Sequence, residues 1–200
     1  MKKFWQRLVL FGLTGAFFVS CISCSAANTA SKVPILMYHN LTNDPSAVTS
    51  MTITGERFQE DMEYLEYNGY TPLLSADLID IRAGKEAMPE RPVMITFDDG
   101  YRSNYDIAYP ILQKTGMKAV IALIGKSIRA NDNTEANRFF LKWDEAAEMA
   151  DSGLVELASH TYNLHNPQYG GLTAPDGING IQRLKGESRE NFQARVIDDL

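Results

Sequence analysis

The stretch PVMITFDDGYRSNY (residues 92–105) drives a run of apolar and β-branched residues straight into two adjacent aspartates and a glycine. Pro92 to Phe97 reads as a buried strand. Asp98 and Asp99 then sit at its C-terminal end, where barrels and doubly wound sheets place their sites. Neighbouring carboxylates repel each other, and desolvation adds to the cost, so a metal or a basic side chain should offset them. The competing reading is a solvated strand-to-helix turn in which one aspartate caps a helix over 103–116.

Outward from this stretch, strands alternate with helices. KVPILMYH (32–39), KAVIALIG (118–125) and LVELASH (154–160) read as further buried strands. TGERFQEDMEYLEYNGY (54–70) reads as a helix, with Phe58, Met62 and Leu65 at i, i+4 and i+7 and Gly69 closing it. A shorter helix covers 75–84, with Ser75 as N-cap and Gly84 as stop. Helices follow over 103–116, with a proline inside, over 143–153 and over 188–200, the last with Phe192, Val196, Ile197 and Leu200 on one face. Tyr105, Ile107, Tyr109 and Ile111 read as core. The strands are apolar runs, which predicts parallel strands covered on both sides, an α/β architecture. Residues 125–141 and 163–187 read as irregular, and loops of that length are usually functional or mobile. The chain reaches Leu200 inside an amphipathic helix without a glycine cap. An α/β barrel usually takes about 200–250 residues, so the expectation is a barrel lacking its C-terminal strands.

The N-terminus is set apart. Lys2, Lys3 and Arg7 precede an apolar run from Leu8 to about Val19 and then small residues, the layout of a secretory signal over 1–27. An uncleaved anchor is the alternative, though the apolar run falls short of the roughly 20 residues of a membrane span. Cleavage fits after Ala27; Cys21 or Cys24 would instead serve a lipoprotein signal, without the usual leucine three residues before. Both cysteines lie here, so residues 28–200 hold no disulfide and no thiolate metal site. Taking the three basic residues of 1–27 from the chain's 19 leaves 16 against 25 acidic, a net charge of −9. That argues against a nucleic-acid surface. Membrane contact is expected only through the N-terminal signal or a lipid anchor, and the location is extracellular, cell-surface or periplasmic.

A second cluster weighs against the solvated turn. ELASHTYNLH (156–165) carries His160 and His165, two of the chain's three histidines, just past a strand. Two histidines and a carboxylate from the neighbouring strand end form the three-ligand set of catalytic zinc sites, with an open position for water. The metal brings that water's pKa down to about 7, and a second carboxylate can take its proton. Zn2+ suits this donor set, as do Co2+, Ni2+ and Fe2+.

TFDDG (96–100) with SHTYNLH (159–165), and PILMYH (34–39) at the first strand, resembles the polysaccharide deacetylases of carbohydrate esterase family 4, the NodB-homology group. The resemblance covers most of residues 28–200 and implies a distorted (β/α) barrel. It implies that Asp98 is the base and that Asp99, His160 and His165 bind one divalent metal. It also implies hydrolysis of an N-acetyl amide, with the oxyanion stabilised by metal and backbone amides. Much of the family spaces its histidines four apart. The spacing of five here resembles the branch that deacetylates poly-N-acetylglucosamine of biofilm exopolysaccharide; chitin-like and peptidoglycan substrates stay open. The family's later motifs, an Arg-x-Pro segment, a tryptophan segment and a Leu-x-His that supplies the acid, have no counterpart after residue 165. No residue of these 200 is assigned as the general acid.

Three further residues are candidates for substrate contact. His39 ends the first strand and either faces the same site or shapes the barrel mouth through hydrogen bonds. Tyr101 either contacts substrate or packs at a helix start. Trp143 either stacks on a sugar or is buried against the sheet. The leading expectation is an exported, metal-dependent N-deacetylase of an N-acetylglucosamine polysaccharide. The alternatives are a carbohydrate-binding accessory protein of weak activity and a metal-dependent amidohydrolase of a small molecule.

Overall fold

Apolar strands that are covered by helices hold the site in place. The computed structural model describes residues 32–131, 138–165, 168–169, 172–173 and 181–199. The chain divides into Met1–Ser31 and Lys32–Leu200; the signal-peptide reading of 1–27 lies outside the described residues. Among the described residues no helix is long and apolar enough to cross a membrane.

In chain order the elements are β1 (Ile35–Tyr38), β2 (Asn40–Thr42), a 3-10 turn (Pro45–Ala47), β3 (Thr52–Thr54), α1 (Gly55–Tyr67), β4 (Thr71–Pro72), α2 (Ser75–Arg82) and β5 (Pro92–Phe97). A π-turn (Asn104–Ala108) then leads into α3 (Tyr109–Thr115), followed by β6 (Ala119–Leu123), α4 (Gly125–Asn131), α5 (Trp143–Asp151), β7 (Val155–Ser159), β8 (Gln168–Tyr169), β9 (Leu172–Thr173) and α6 (Arg189–Asp199). The main sheet runs β1-β5-β6-β7, with β4 paired to the start of β5. All of these pairings are parallel. The sheet does not close into a barrel among the described residues.

Register decides what meets at the C-terminal edge. Tyr38 pairs with Phe97, Phe97 with Ile121 and Leu123 with Ser159. The residues that follow, His39, Asp98 and His160, therefore leave the same edge of the sheet. The amide of Asp98 still donates to Tyr38 O at 3.0 Å, and that of His160 to Leu123 O at 2.9 Å.

α1 forms as its sequence predicts. Thr54 Oγ1 accepts from Arg57 N at 3.1 Å as N-cap, and Phe58, Met62 and Leu65 are buried. Phe58 meets Tyr38 edge-on at 5.1 Å and Phe97 at 5.3 Å, so one aromatic cluster binds helix to sheet directly under Asp98. Tyr109 is buried, and Tyr105, Ile107 and Ile111 pack partly buried against the core.

Several expectations are corrected. β1, at the end of the sheet path among the described residues, is not covered on both faces: Ile35 and Met37 are exposed, and its burial alternates. Leu74, not Ser75, occupies the N-cap of α2, and its amide donates to Asp77 Oδ2 at 2.8 Å. The helix over 103–116 forms with Pro110 inside it, but its first turns, Asn104–Ala108, are a π-turn that runs without a break into α3, directly before the proline that has no N–H to continue the i→i−4 ladder. Residues 125–131, expected as loop, form α4. On α6, Ile197 is exposed, so the buried stripe there is narrower than the apolar pattern; Leu200 lies outside the described residues.

Phe58→Ala should lower unfolding free energy by about 3–5 kcal/mol in urea denaturation, because three elements lose one shared contact. A loss under about 1 kcal/mol would mean that the cluster does not hold α1 to the sheet.

Candidate metal and catalytic site

The end of β5 breaks its strand geometry at once. Asp99 and Gly100 both adopt left-handed backbone conformations, φ 73° and 76°. Aspartate tolerates this region better than most residues. Gly100 is required for a second reason: a Cβ there would lie 2.6 Å from Leu123 Cδ2. Leu141 N donates to Gly100 O and Arg102 N to Phe139 O, each at 2.9 Å, so the strand-to-helix turn is clamped by residues 139–141.

This break separates the two carboxylates. Asp99 is 5% exposed and points its Oδ1 at His160 Nε2, 3.6 Å away, and at His165 Nε2, 3.7 Å away. Asp98 stays half-buried with its Oδ2 3.9 Å from His39 Nε2. The solvated-turn reading is therefore set aside: neither aspartate is left to water as a simple helix cap.

Asp99 Oδ1 is buried yet has no hydrogen-bond partner. Both imidazole contacts are too long to satisfy it, and an orphaned carboxylate oxygen costs several kcal/mol. The ligand atoms of Asp99, His160 and His165 lie within 4.8 Å of one another, and the two rings tilt together with centroids 4.9 Å apart. Two atoms each about 2.1 Å from one tetrahedral ion stand about 3.4 Å apart, close to the Asp99–imidazole distances. The donor set and its spacing thus fit a single divalent cation.

The remaining candidates separate. His39 faces Asp98, and its backbone is held in place. Asn104, fully buried, donates from Nδ2 to His39 O at 2.9 Å. Ser103 Oγ accepts from Leu41 N at 2.9 Å and donates to Asn40 Oδ1 at 2.7 Å. Ser103 and Asn104 therefore tie the chain after β1 to the motif that carries the aspartates, a function that sequence reasoning missed; an asparagine entering an apolar helix was its signal. Tyr101 lies against Asp99. Burial, then the Asp99 charge and the hydrogen bond to Asp99, push the tyrosine up to about 12. Its ring stacks on Phe140 at 5.4 Å, so it braces the carboxylate. Trp143 is 47% exposed, which sets aside its burial against the sheet. It lines a cleft of about 270 Å³ with Leu157, Ser159, Thr161 and Tyr162, apart from the smaller hollow lined by His160, His165, Leu164 and Ile181.

Known proteins are similar to this chain in sequence and fold. The family model for polysaccharide deacetylase matches residues 85–196. The poly-beta-1,6-N-acetyl-D-glucosamine N-deacetylase of Escherichia coli (strain K12) is 34% identical over 138 residues, 65% of this chain and 20% of that protein. The Staphylococcus epidermidis protein of the same name is 26% identical over 146 residues, 73% of this chain and 50% of that protein. The chain thus spans a fifth to a half of the length of these relatives. Among solved structures, the de-N-acetylase from Aggregatibacter actinomycetemcomitans superposes with a TM-score of 0.69 at 31% identity, covering 84% of this chain and 70% of that one. The BpsB deacetylase domain from Bordetella bronchiseptica gives 0.63 at 30%, covering 84% and 71%. The family model spans more than half of the chain, and the chain belongs to the polysaccharide deacetylase family.

Proposed function

We propose that the chain carries the active centre of an exported, metal-dependent N-deacetylase acting on a polymer of N-acetylglucosamine. The observation that carries this reading is the buried, unpartnered Asp99 Oδ1 facing two imidazole nitrogens, with a second carboxylate left beside it. The names of the relatives support the substrate class, and the layout of residues 1–27 supports export.

Asp99, His160 and His165 hold the ion, with Zn2+ favoured and Co2+, Ni2+ or Fe2+ suited to the same donors. When bound, it polarises the acetyl carbonyl and lowers the pKa of a water to about 7. Asp98 is left out of the ligand set, so it is free to take the proton of the water whose oxygen adds to the acetyl carbon. His39 is the one histidine outside the triad, and its Nε2 stands 3.9 Å from Asp98 Oδ2. It stands beside the base and orients it; the amine nitrogen takes up a proton as the C–N bond breaks, releasing free amine and acetate. Asn104 and Ser103 fix the backbone at His39, and Tyr101 holds Asp99 in its rotamer.

Metal analysis of the purified chain should find about one divalent ion, and His160→Ala or His165→Ala should lose it; undiminished binding in both would sink the ligand assignment. Asp98→Asn should keep the ion and lower acetate release from acetylated glucosamine polymers by about 10²–10⁴-fold. Turnover near that of the parent would remove Asp98 as base; a parent chain that binds the polymer but releases no acetate would favour the accessory, carbohydrate-binding reading. His39→Asn should likewise keep the ion while kcat falls about a hundredfold with little change in KM. A His39→Asn variant with unchanged kcat would show that His39 does not orient Asp98.

A further inference from the structure

The loop that carries both imidazoles is held from far along the chain. Thr161 has φ 68°, a left-handed conformation costing a β-branched residue about 1–2 kcal/mol, so its surroundings must over-determine it. Ser159 Oγ accepts from Thr161 N, and Thr161 Oγ1 from Leu164 N, each at 3.1 Å. On the side of α4, Gly125 N donates to Thr161 O at 3.1 Å and Lys126 N to Tyr162 O at 2.9 Å. Gly125 permits this approach: a Cβ there would stand 2.9 Å from Tyr162 Cδ2.

The next amides of the loop turn to Asp199. Tyr162 N donates to its Oδ2 and Asn163 N to its Oδ1, each at 2.8 Å. Asp199 is 8% exposed and stands 37 and 36 residues away in sequence. One oxygen on each of two successive amides is a charge-assisted clamp on the backbone. α6, which delivers it, is itself anchored, since Arg195 Nε pairs with Glu187 Oε1 at 2.8 Å with both side chains nearly buried.

We propose that Asp199 is a positioning residue for the metal site: its carboxylate holds the loop between His160 and His165 in the conformation that turns both rings toward Asp99. It is not a ligand, since its oxygens are committed to the loop amides. The proposal rests on the metal reading above.

The test uses the whole chain with Co2+ as probe, titrated against a chromophoric chelator and read also by visible d–d absorption. Asp199→Asn keeps the side-chain size but turns an N–H donor against an amide; Asp199→Ala removes both acceptors. Both should weaken Co2+ binding about tenfold or more and alter the d–d intensity at saturation, while far-UV circular dichroism of Asp199→Asn stays that of the parent. Affinity within about twofold of the parent in a folded Asp199→Asn, with His160→Ala losing the ion, overturns the proposal. Parent-like affinity in His160→Ala overturns the metal reading instead. Should both Asp199 variants unfold, hydrogen exchange in the parent decides: the Tyr162 and Asn163 amides should be protected, and free exchange at both overturns the clamp.

Discussion

The structure turns on one carboxylate oxygen. Asp99 Oδ1 is buried among groups that do not satisfy it, and a lone charge in that position is tolerated only if a cation completes it. Everything around it serves that constraint: a left-handed residue to aim the carboxylate, a glycine to let Leu123 pass, a tyrosine to brace it and a loop to bring two imidazoles. The same backbone break leaves Asp98 on the other side of the turn, half-buried beside His39. Two adjacent aspartates thereby face different surroundings, Asp99 the two imidazoles and Asp98 His39, by handedness of the backbone rather than by residue type.

Parallel pairing makes the convergence possible. β1, β5, β6 and β7 all end at one edge, so residues as distant as 39, 98 and 160 arrive together once register is set by apolar strand packing. The aromatic cluster of Tyr38, Phe58 and Phe97 lies just beneath that edge. Core stability and site geometry are therefore coupled: a change that lets α1 drift also loosens the strand ends carrying His39 and Asp98.

The central strand and the meeting of Asp99 with His160 and His165 were legible because both rest on local patterns. An apolar run ending in two aspartates and a histidine pair past a strand need no partner to be noticed. Burial was legible only where both faces of an element are covered. Ile35 and Met37 look like core but are exposed on a strand at the end of the sheet path among the described residues, and Trp143 looks like core but stands at the mouth of a cleft. Caps were misread by a single residue, as at Leu74 and Ser75, because Asp77 reaches back to an amide that the local pattern does not reveal. Asn104 and Asp199 were invisible as supports, since their partners lie 65 and 36–37 residues away, a relation that no window of sequence contains.

The spacing of the two histidines follows from the same physics. On an α-helix, residues five apart point about 140° away from each other, so they could not share an ion with Asp99. The segment must be a loop, and a loop carrying two ligands needs external restraint to avoid the entropy of ordering it anew at each binding event. Here the restraint is divided: Leu164 is buried as an apolar anchor, Ser159 and Thr161 close the inner turns, the start of α4 pairs with one side and α6 clamps the other. A tighter spacing could rely on helical geometry to aim its rings; this one depends on residues from two other parts of the chain, so the metal site and the packing of α6 form a single unit.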